Sequence, residues 1–360
     1  MKFLFPTIGE FRQFAAAKRF LGTGEELAKS GHEVWLAVMK SAENEKRLAL
    51  EAPHCKVVYY SQGNIVREIL SKLRIVWSLR PDVVYAASYT PRTLAFLRFL
   101  FPRKTKSVIE FNELYSAYSG RGPWRLSEYI ACRENDGILC ASKVLEAHFR
   151  DVCERHHLHR QICYSPYAYP EHLAKRCGDP VKPPVVLFMA SLWKAYGIYD
   201  VIDACLEVMG RGTEMVLEVL GGGPEKDAVT ELVKQKGLEQ KIRIRGYVAE
   251  EELNAYFSTA SVFVAPLKDN FQDRARCPSK LYFYIPFNKP IVTCKFGDPY
   301  DALQEYGFYY QSGDTHDMAS AIEKALVASE TFGYPEGFIE RHSWRARAAQ
   351  LQDWVLSWGK

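Results

Sequence analysis

Short runs of apolar residues, many of them β-branched or aromatic, recur along the chain, and longer stretches with helical spacing separate them. In the first half these runs fall at residues 3–5, 34–39, 57–60, 83–87, 107–111, 137–141 and 161–164. Several are apolar on both faces, as a strand in a parallel sheet covered on each side must be. Residues 11–29 predict a helix that Gly31 ends, and Val34 then opens the next strand. A stretch rich in breakers follows, with Pro166, Pro170, Pro180, Pro183 and Pro184, and reads as a linker. The alternation then restarts. Strands are predicted at 185–189, 216–220, 242–244, 262–265 and 291–294, and helices at 199–209 and 226–236. Residues 343–358 predict one amphipathic helix with Leu351, Trp354, Val355 and Trp358 as its apolar stripe.

Alternation of this kind predicts doubly wound α/β architecture, and 360 residues are too many for one ordinary core. The expected division is 1–168 and 185–335 as two Rossmann-like domains facing across a cleft. Residues 169–184 are the linker, and a final segment, 336–360, crosses back to the first domain. No apolar run reaches the length of a membrane span, and the start of the chain has no signal-peptide pattern, so a cytoplasmic protein is expected. Nine cysteines without C-x-x-C pairing suit a reducing compartment. His156, His157 and His159 cluster among arginines, but no carboxylate or cysteine completes a metal site there.

Charge changes the picture. The overall balance of +4 hides an excess of 25 Lys and Arg over 17 Asp and Glu in residues 1–165, against 22 and 26 in the remainder. A basic half joined to an acidic half suggests different partners for each. Segments 72–80 and 92–106 mix basic with large apolar residues, the composition of a surface lying on an anionic bilayer. The other reading makes them sheet-covering helices with Trp77 and Phe99 in the core. The diffuse excess carries no nucleic-acid-binding motif, so no nucleic acid is expected.

Candidate chemistry sits in the second half. A predicted strand runs into Gly221, Gly222, Gly223 and Pro224, and a helix opens directly after them. Such a turn offers backbone N–H groups and a helix N-terminus to a phosphate, although a tight turn alone would also use glycine. Further on come Gly246-Tyr247-Val248, Ala265-Pro266, Pro278-Ser279-Lys280-Leu281 and Asn288-Lys289-Pro290, in that order. This train, from Ala190 to about Asp314, resembles the donor-binding half of glycosyltransferase family 4, retaining enzymes of GT-B fold. In the first half the resemblance is looser and rests on Gly9, on Gly31-His32-Glu33-Val34 and on Pro81-Asp82-Val83-Val84.

The resemblance implies a nucleotide-sugar co-substrate bound mainly by the second domain, and no metal or other cofactor. Its diphosphate would meet Gly221, Gly222, Gly223 and Lys280, its base would lie near Gly246, Tyr247 and Val248, Ser279 would also belong to the donor site, and Gly9 would border the diphosphate and acceptor. Asn112 and Glu113 stand where many relatives place a His and an acidic residue. Glu113 then either orients the acceptor hydroxyl or serves as a helix cap. Cations and N–H groups would neutralise the leaving diphosphate, which in retaining transfer assists deprotonation, so no protein base is required. The acceptor implied is a glycan or lipid-linked saccharide, as in polysaccharide or lipopolysaccharide assembly. Relatives of that kind dock through the first domain on the inner face of the cytoplasmic membrane.

The chain also departs from the family pattern. Ser191 and Tyr196 stand where an Arg and a Lys usually bind the diphosphate, leaving Lys194 as the nearby cation. Ala275 and Phe283 replace two glutamates, the second of which reads the ribose. Arg274, Arg276 and Lys280 form a basic loop that either stabilises a leaving phosphate or pairs with Asp269 and Asp273. An active transferase is the first reading. A catalytically silent paralogue that serves as a scaffold in glycan assembly is the alternative.

Overall fold

The computed structural model describes residues 1–11, 16–86, 90–114, 116, 123–171 and 181–358. Two compact units emerge. One comprises Met1–Ala168, Ala275–Cys277 and Trp344–Lys360, and the other comprises Tyr169–Arg274 and Pro278–Ser343.

The first unit is built on strands β1 (Lys2–Pro6), β2 (Glu33–Val38), β3 (Lys56–Tyr59), β4 (Val83–Ala86), β5 (Lys106–Phe111), β6 (Gly137–Cys140) and β7 (Gln161–Tyr164). All pair in parallel, in the order β3-β2-β1-β4-β5-β6-β7. Helices α1 (Ala17–Lys29), α2 (Ala42–Glu51), α3 (Ile65–Leu79), α4 (Pro123–Glu134) and α5 (Lys143–Arg155) cover it. The central strands are apolar at nearly every position because both faces are covered: Phe3, Leu4, Phe5, Val83 and Val84 are fully buried. Local chemistry sets the helix ends. Ser41, Asn64 and Ser142 cap α2, α3 and α5 by accepting from the backbone amides of Asn44, Arg67 and Leu145. Helix α1 starts at Ala17, later than residue 11, and Gly31 beyond its end takes φ +86°. Residues 12–15, also inside the predicted helix, lie outside the described residues.

The second unit carries β8 (Val185–Met189), β9 (Val216–Leu220), β10 (Ile242–Gly246), β11 (Val262–Ala265), β12 (Ile291–Cys294) and β13 (Phe308–Tyr310). They too are parallel, in the order β10-β9-β8-β11-β12-β13. Its helices are α6 (Ile198–Gly210), α7 (Lys226–Gln235), α8 (Glu250–Thr259), α9 (Phe271–Ala275), α10 (Ser279–Tyr284), α11 (Gly297–Leu303) and α12 (Thr315–Ala328). Strand β13 was not predicted. It spans three residues at the sheet edge and pairs only with β12.

The last helix, α13 (Trp344–Ser357), belongs to the first unit, where Ala348, Leu351 and Val355 join Phe3, Phe5 and Phe20 in one core. Gly22 of α1 makes room for it, since a Cβ there would lie 2.6 Å from the Trp344 ring.

Both units share one topological consequence. Chain direction across the sheet reverses between β1 and β4 in the first unit, and between β8 and β11 in the second. Loops leaving the C-terminal ends of those strands diverge, which opens a crevice where ligands of doubly wound sheets bind.

Candidate functional site

In the second unit the glycine turn after β9 is packed on the loop after β8. A Cβ on Gly221 would lie 1.8 Å from the Ala190 carbonyl oxygen, and one on Gly223 would lie 2.6 Å from that of Leu192. The Leu192 amide donates to Gly222 O at 2.8 Å, and the Glu225 amide donates to Leu192 O at 3.0 Å. Tyr199 Oη donates to Glu225 Oε2 at 2.6 Å and so ties the start of α6 to the start of α7. Gly221 N–H is committed to Gly246 O at 2.7 Å, so it is not among the amides left for a phosphate, contrary to the simplest reading of the turn. Backbone crowding thus accounts for Gly221 and Gly223. It does not account for Gly222, whose added Cβ would meet only Tyr247, at an ordinary 3.8 Å.

Tyr247 follows β10 and is 84% exposed, an aromatic face beside Gly222 at the C-terminal edge of the sheet. Val248 comes next and is half-buried. Ser191 and Lys194 are both exposed on the loop after β8, Lys194 within a short 3-10 turn. Lys280, in the first turn of α10, holds its ammonium 5.3 Å over the ring of Phe188 in β8, which brings a cation to the first strand of the sheet. Ser279 beside it is exposed. The Ser191–Lys194 loop, the glycine turn and Tyr247 therefore follow β8, β9 and β10 in turn, and Lys280 of α10 lies against Phe188 of β8.

The basic loop divides. Arg274 pairs with Asp269 through Nε at 2.6 Å, which holds the Asp269 carboxyl below its ordinary range, and stacks 4.7 Å over Phe296. Ala275, Arg276 and Cys277 belong to the first unit instead. Ser142 Oγ donates to Ala275 O at 2.5 Å, and the Tyr167 amide donates to Cys277 Sγ at 3.2 Å. Ala275 is buried among Phe111, Leu145 and Phe149, so a glutamate there would place a carboxylate in an apolar core. Phe283 is likewise buried.

In the first unit Gly9 follows β1 with φ +57°, and open space surrounds the position a Cβ would take. Its amide donates to Tyr60 Oη at 3.1 Å, and its carbonyl accepts from Asn44 Nδ2 at 3.1 Å. Asn44 Oδ1 in turn accepts from the Phe11 amide at 2.9 Å. Asn112 and Glu113 come directly after β5, and Asn112 Oδ1 is buried with no hydrogen-bond partner among the described residues. Two residues before Asn112, in β5, Glu110 is ion-paired with Arg19 of α1, whose Nη2 also donates to Ser165 O at 2.9 Å. Burial would pull the Arg19 guanidinium down, but Glu110 outweighs it and the group is held above its ordinary value. Tyr60, Asn44, Arg19 and Glu110 were not singled out in the sequence, where nothing marks them as partners of Gly9 or of one another.

Residues 183–327 match the family model described as Glycosyl transferases group 1. One curated relative is 2-deoxystreptamine N-acetyl-D-glucosaminyltransferase of Niallia circulans, 22% identical over 144 residues, or 39% of this chain and 36% of that protein. Another is alpha-D-kanosaminyltransferase of Streptomyces kanamyceticus, 25% identical over 83 residues, or 23% of this chain and 22% of the relative. The chain thus spans between about a fifth and a third of the length of the curated relatives it matches. Among solved structures, Anabaena HepE in complex with UDP and glucose aligns over 99% of this chain and 100% of its own, with TM-score 0.71 and 15% identity. The architecture is that of the GT-B glycosyltransferases, and residues 183–327 are similar to the glycosyl transferases group 1 family.

Proposed function

We propose that this protein is a divergent member of the glycosyl transferases group 1 family that moves a sugar from a nucleoside-diphosphate sugar to a hydroxyl of a glycan or lipid-linked saccharide, without a metal and with retention. The observation that carries the reading is Gly222 beside Tyr247 at the ends of β9 and β10, with Lys280 against Phe188 of the neighbouring β8, inside the segment that matches the family. In this reading Lys280 and Lys194 neutralise the leaving diphosphate, Gly222 lets it approach the backbone, and Tyr247 lies against the base. The HepE complex, with UDP and glucose, supports a donor of that class. Asn112, Glu113 and the Gly9 loop of the first unit are assigned to the acceptor.

The buried Ala275 and Phe283 favour a ribose read by other groups, with main-chain atoms near Gly246 as the candidates. They would equally suit a silent scaffold. Incubation with UDP-, GDP-, ADP- and dTDP-sugars, with free nucleotide release as the readout, decides between the two. Release from one donor, lost in Lys280→Ala, supports transfer, and no release from any donor by folded protein supports the scaffold.

A peripheral contact with an anionic membrane belongs to the same reading. Among the described residues no helix is long and apolar enough to cross a membrane. Segment 92–106 is not the helix that one sequence reading expected, because it forms two 3-10 turns before β5. Nor are Trp77 and Phe99 in the core: they are 54% and 69% exposed. Trp77 Nε1 donates to Leu100 O at 3.0 Å, and Val66, Leu70, Arg67 and Arg74 share the exposed side of α3. Apolar rings and guanidinium groups on one helix face suit an anionic lipid surface.

A further inference from the structure

Lys72 was noticed in the sequence only as one cation of a basic segment. In the structure its side chain is completely buried under the first unit's sheet edge. Its Nζ donates to Thr7 O at 2.6 Å, Arg92 O at 2.7 Å and Glu68 Oε1 at 2.5 Å, and sits 4.1 Å from the centre of the Tyr60 ring. Three N–H bonds meet three acceptors, so the full set requires an ammonium.

The placement of the two carbonyls gives those bonds their meaning. Thr7 begins the loop that leaves β1, and Arg92 lies in the 3-10 turn of the segment that leaves β4. Chain direction across the sheet reverses between those two strands. One ammonium therefore ties both sides of the first unit's crevice, and Tyr60 ties Gly9 to the same point through its hydroxyl. Glu68 completes the arrangement by pairing also with Arg92, through Nη2 to Oε2 at 2.8 Å.

We propose that Lys72 is a positioning residue for the proposed transfer: its buried ammonium holds the Thr7–Gly9 loop and the Arg92 turn in register for the acceptor. The proposal rests on the reading of the Gly9 loop as part of the acceptor site. The ionisable groups facing Lys72 are Glu68, Arg92 and Tyr60. Burial pulls the ammonium down to about 8 against the opposing pull of Glu68, whereas Tyr60 is pushed up to about 12, chiefly by burial.

Hydrogen exchange on the full chain tests the tie without a ligand. Amides of residues 7–11, 90 and 92–94 are expected to exchange about tenfold faster in Lys72→Met, while α12 is unchanged. Lys72→Gln, which keeps two N–H donors on a shorter side chain, gives the same comparison should Lys72→Met fail to fold. With the UDP-, GDP-, ADP- and dTDP-glucose panel, Lys72→Met or Tyr60→Phe is expected to lower kcat about tenfold while donor KM stays within about twofold. Lys72→Arg, which keeps the charge and the N–H donors, should recover part of the turnover lost in Lys72→Met. Unchanged protection of residues 7–11 overturns the tie. Faster exchange with unchanged kcat overturns the positioning role and leaves the proposed activity standing. Absence of turnover by the wild type with every donor overturns the activity, and the positioning role with it.

Discussion

The amide of Gly221 donates to the carbonyl of Gly246 at 2.7 Å, and this bond locks the glycine turn after β9 to the end of β10. The turn is therefore a structural joint first, and only its middle residue is left over for a ligand. Gly221→Ala would drive a Cβ into the Ala190 carbonyl at a φ of +140°, and is expected to cost the second unit about 3 kcal/mol or more in urea unfolding. Gly222→Ala meets only ordinary contact, so it should leave stability within about 0.5 kcal/mol yet weaken nucleotide-sugar binding about tenfold. Equal behaviour of the two variants would refute this division of labour.

Both side chains of the Arg19–Glu110 pair are 5% exposed or less. Glu110→Gln leaves a guanidinium without its counter-charge in a dry core, for an expected loss of about 3–5 kcal/mol in the first unit's unfolding free energy. A loss below about 1 kcal/mol would mean that Ser165 O and the Tyr167 ring suffice to hold Arg19.

Lys72 makes stability depend on pH in a direction opposite to most ion pairs. Its folded-state value, pulled to about 8, lies below the ordinary 10.5. Between those two values the unfolded chain holds a proton that the folded chain has released, so this group's contribution to stability rises with pH across that window. Chemical denaturation at a series of pH values should show the rise in the wild type and a flatter profile in Lys72→Met. A parallel profile in both would remove Lys72 as its source.

Vesicle co-sedimentation checks the α3 face. Binding to vesicles that contain phosphatidylglycerol is expected to fall sharply in Arg67→Glu combined with Arg74→Glu, at about 1 kcal/mol per basic residue removed, and to weaken with salt. Trp77→Ala should weaken it without changing the salt dependence. Binding that ignores all three changes would exclude this face.

Much of the architecture was readable because parallel strands buried on both faces leave uninterrupted apolar runs. Strands β8, β9, β11 and β12 were predicted with the bounds they have. What escaped has physical causes. The strand Phe308–Tyr310 is too short to show a period. The exposed Trp77 and Phe99 look like core residues in sequence, since composition does not say which side of an element faces solvent. The motif train singled out Gly222, Tyr247 and Lys280, because the local turns that hold such positions leave a pattern along the chain. Asn44, Tyr60 and Lys72 converge on the Gly9 loop from α2, the end of β3 and α3, and no spacing in the sequence records such a meeting. For Arg274 the sequence offered both an anion site and pairing with Asp269, and the structure shows the pairing.

The central claim is that the second unit binds a nucleotide sugar through the site that contains Lys280. Thermal stabilisation against UDP-, GDP-, ADP-, dTDP- and CMP-sugars, each beside its free nucleotide, tests it most directly. A ligand at about 100 times its Kd adds about 2.7 kcal/mol, a shift of a few degrees for domains of this size. The expected result is stabilisation by sugars of one base, abolished in Lys280→Ala. A flat response across the panel, with the protein folded, would contradict the claim.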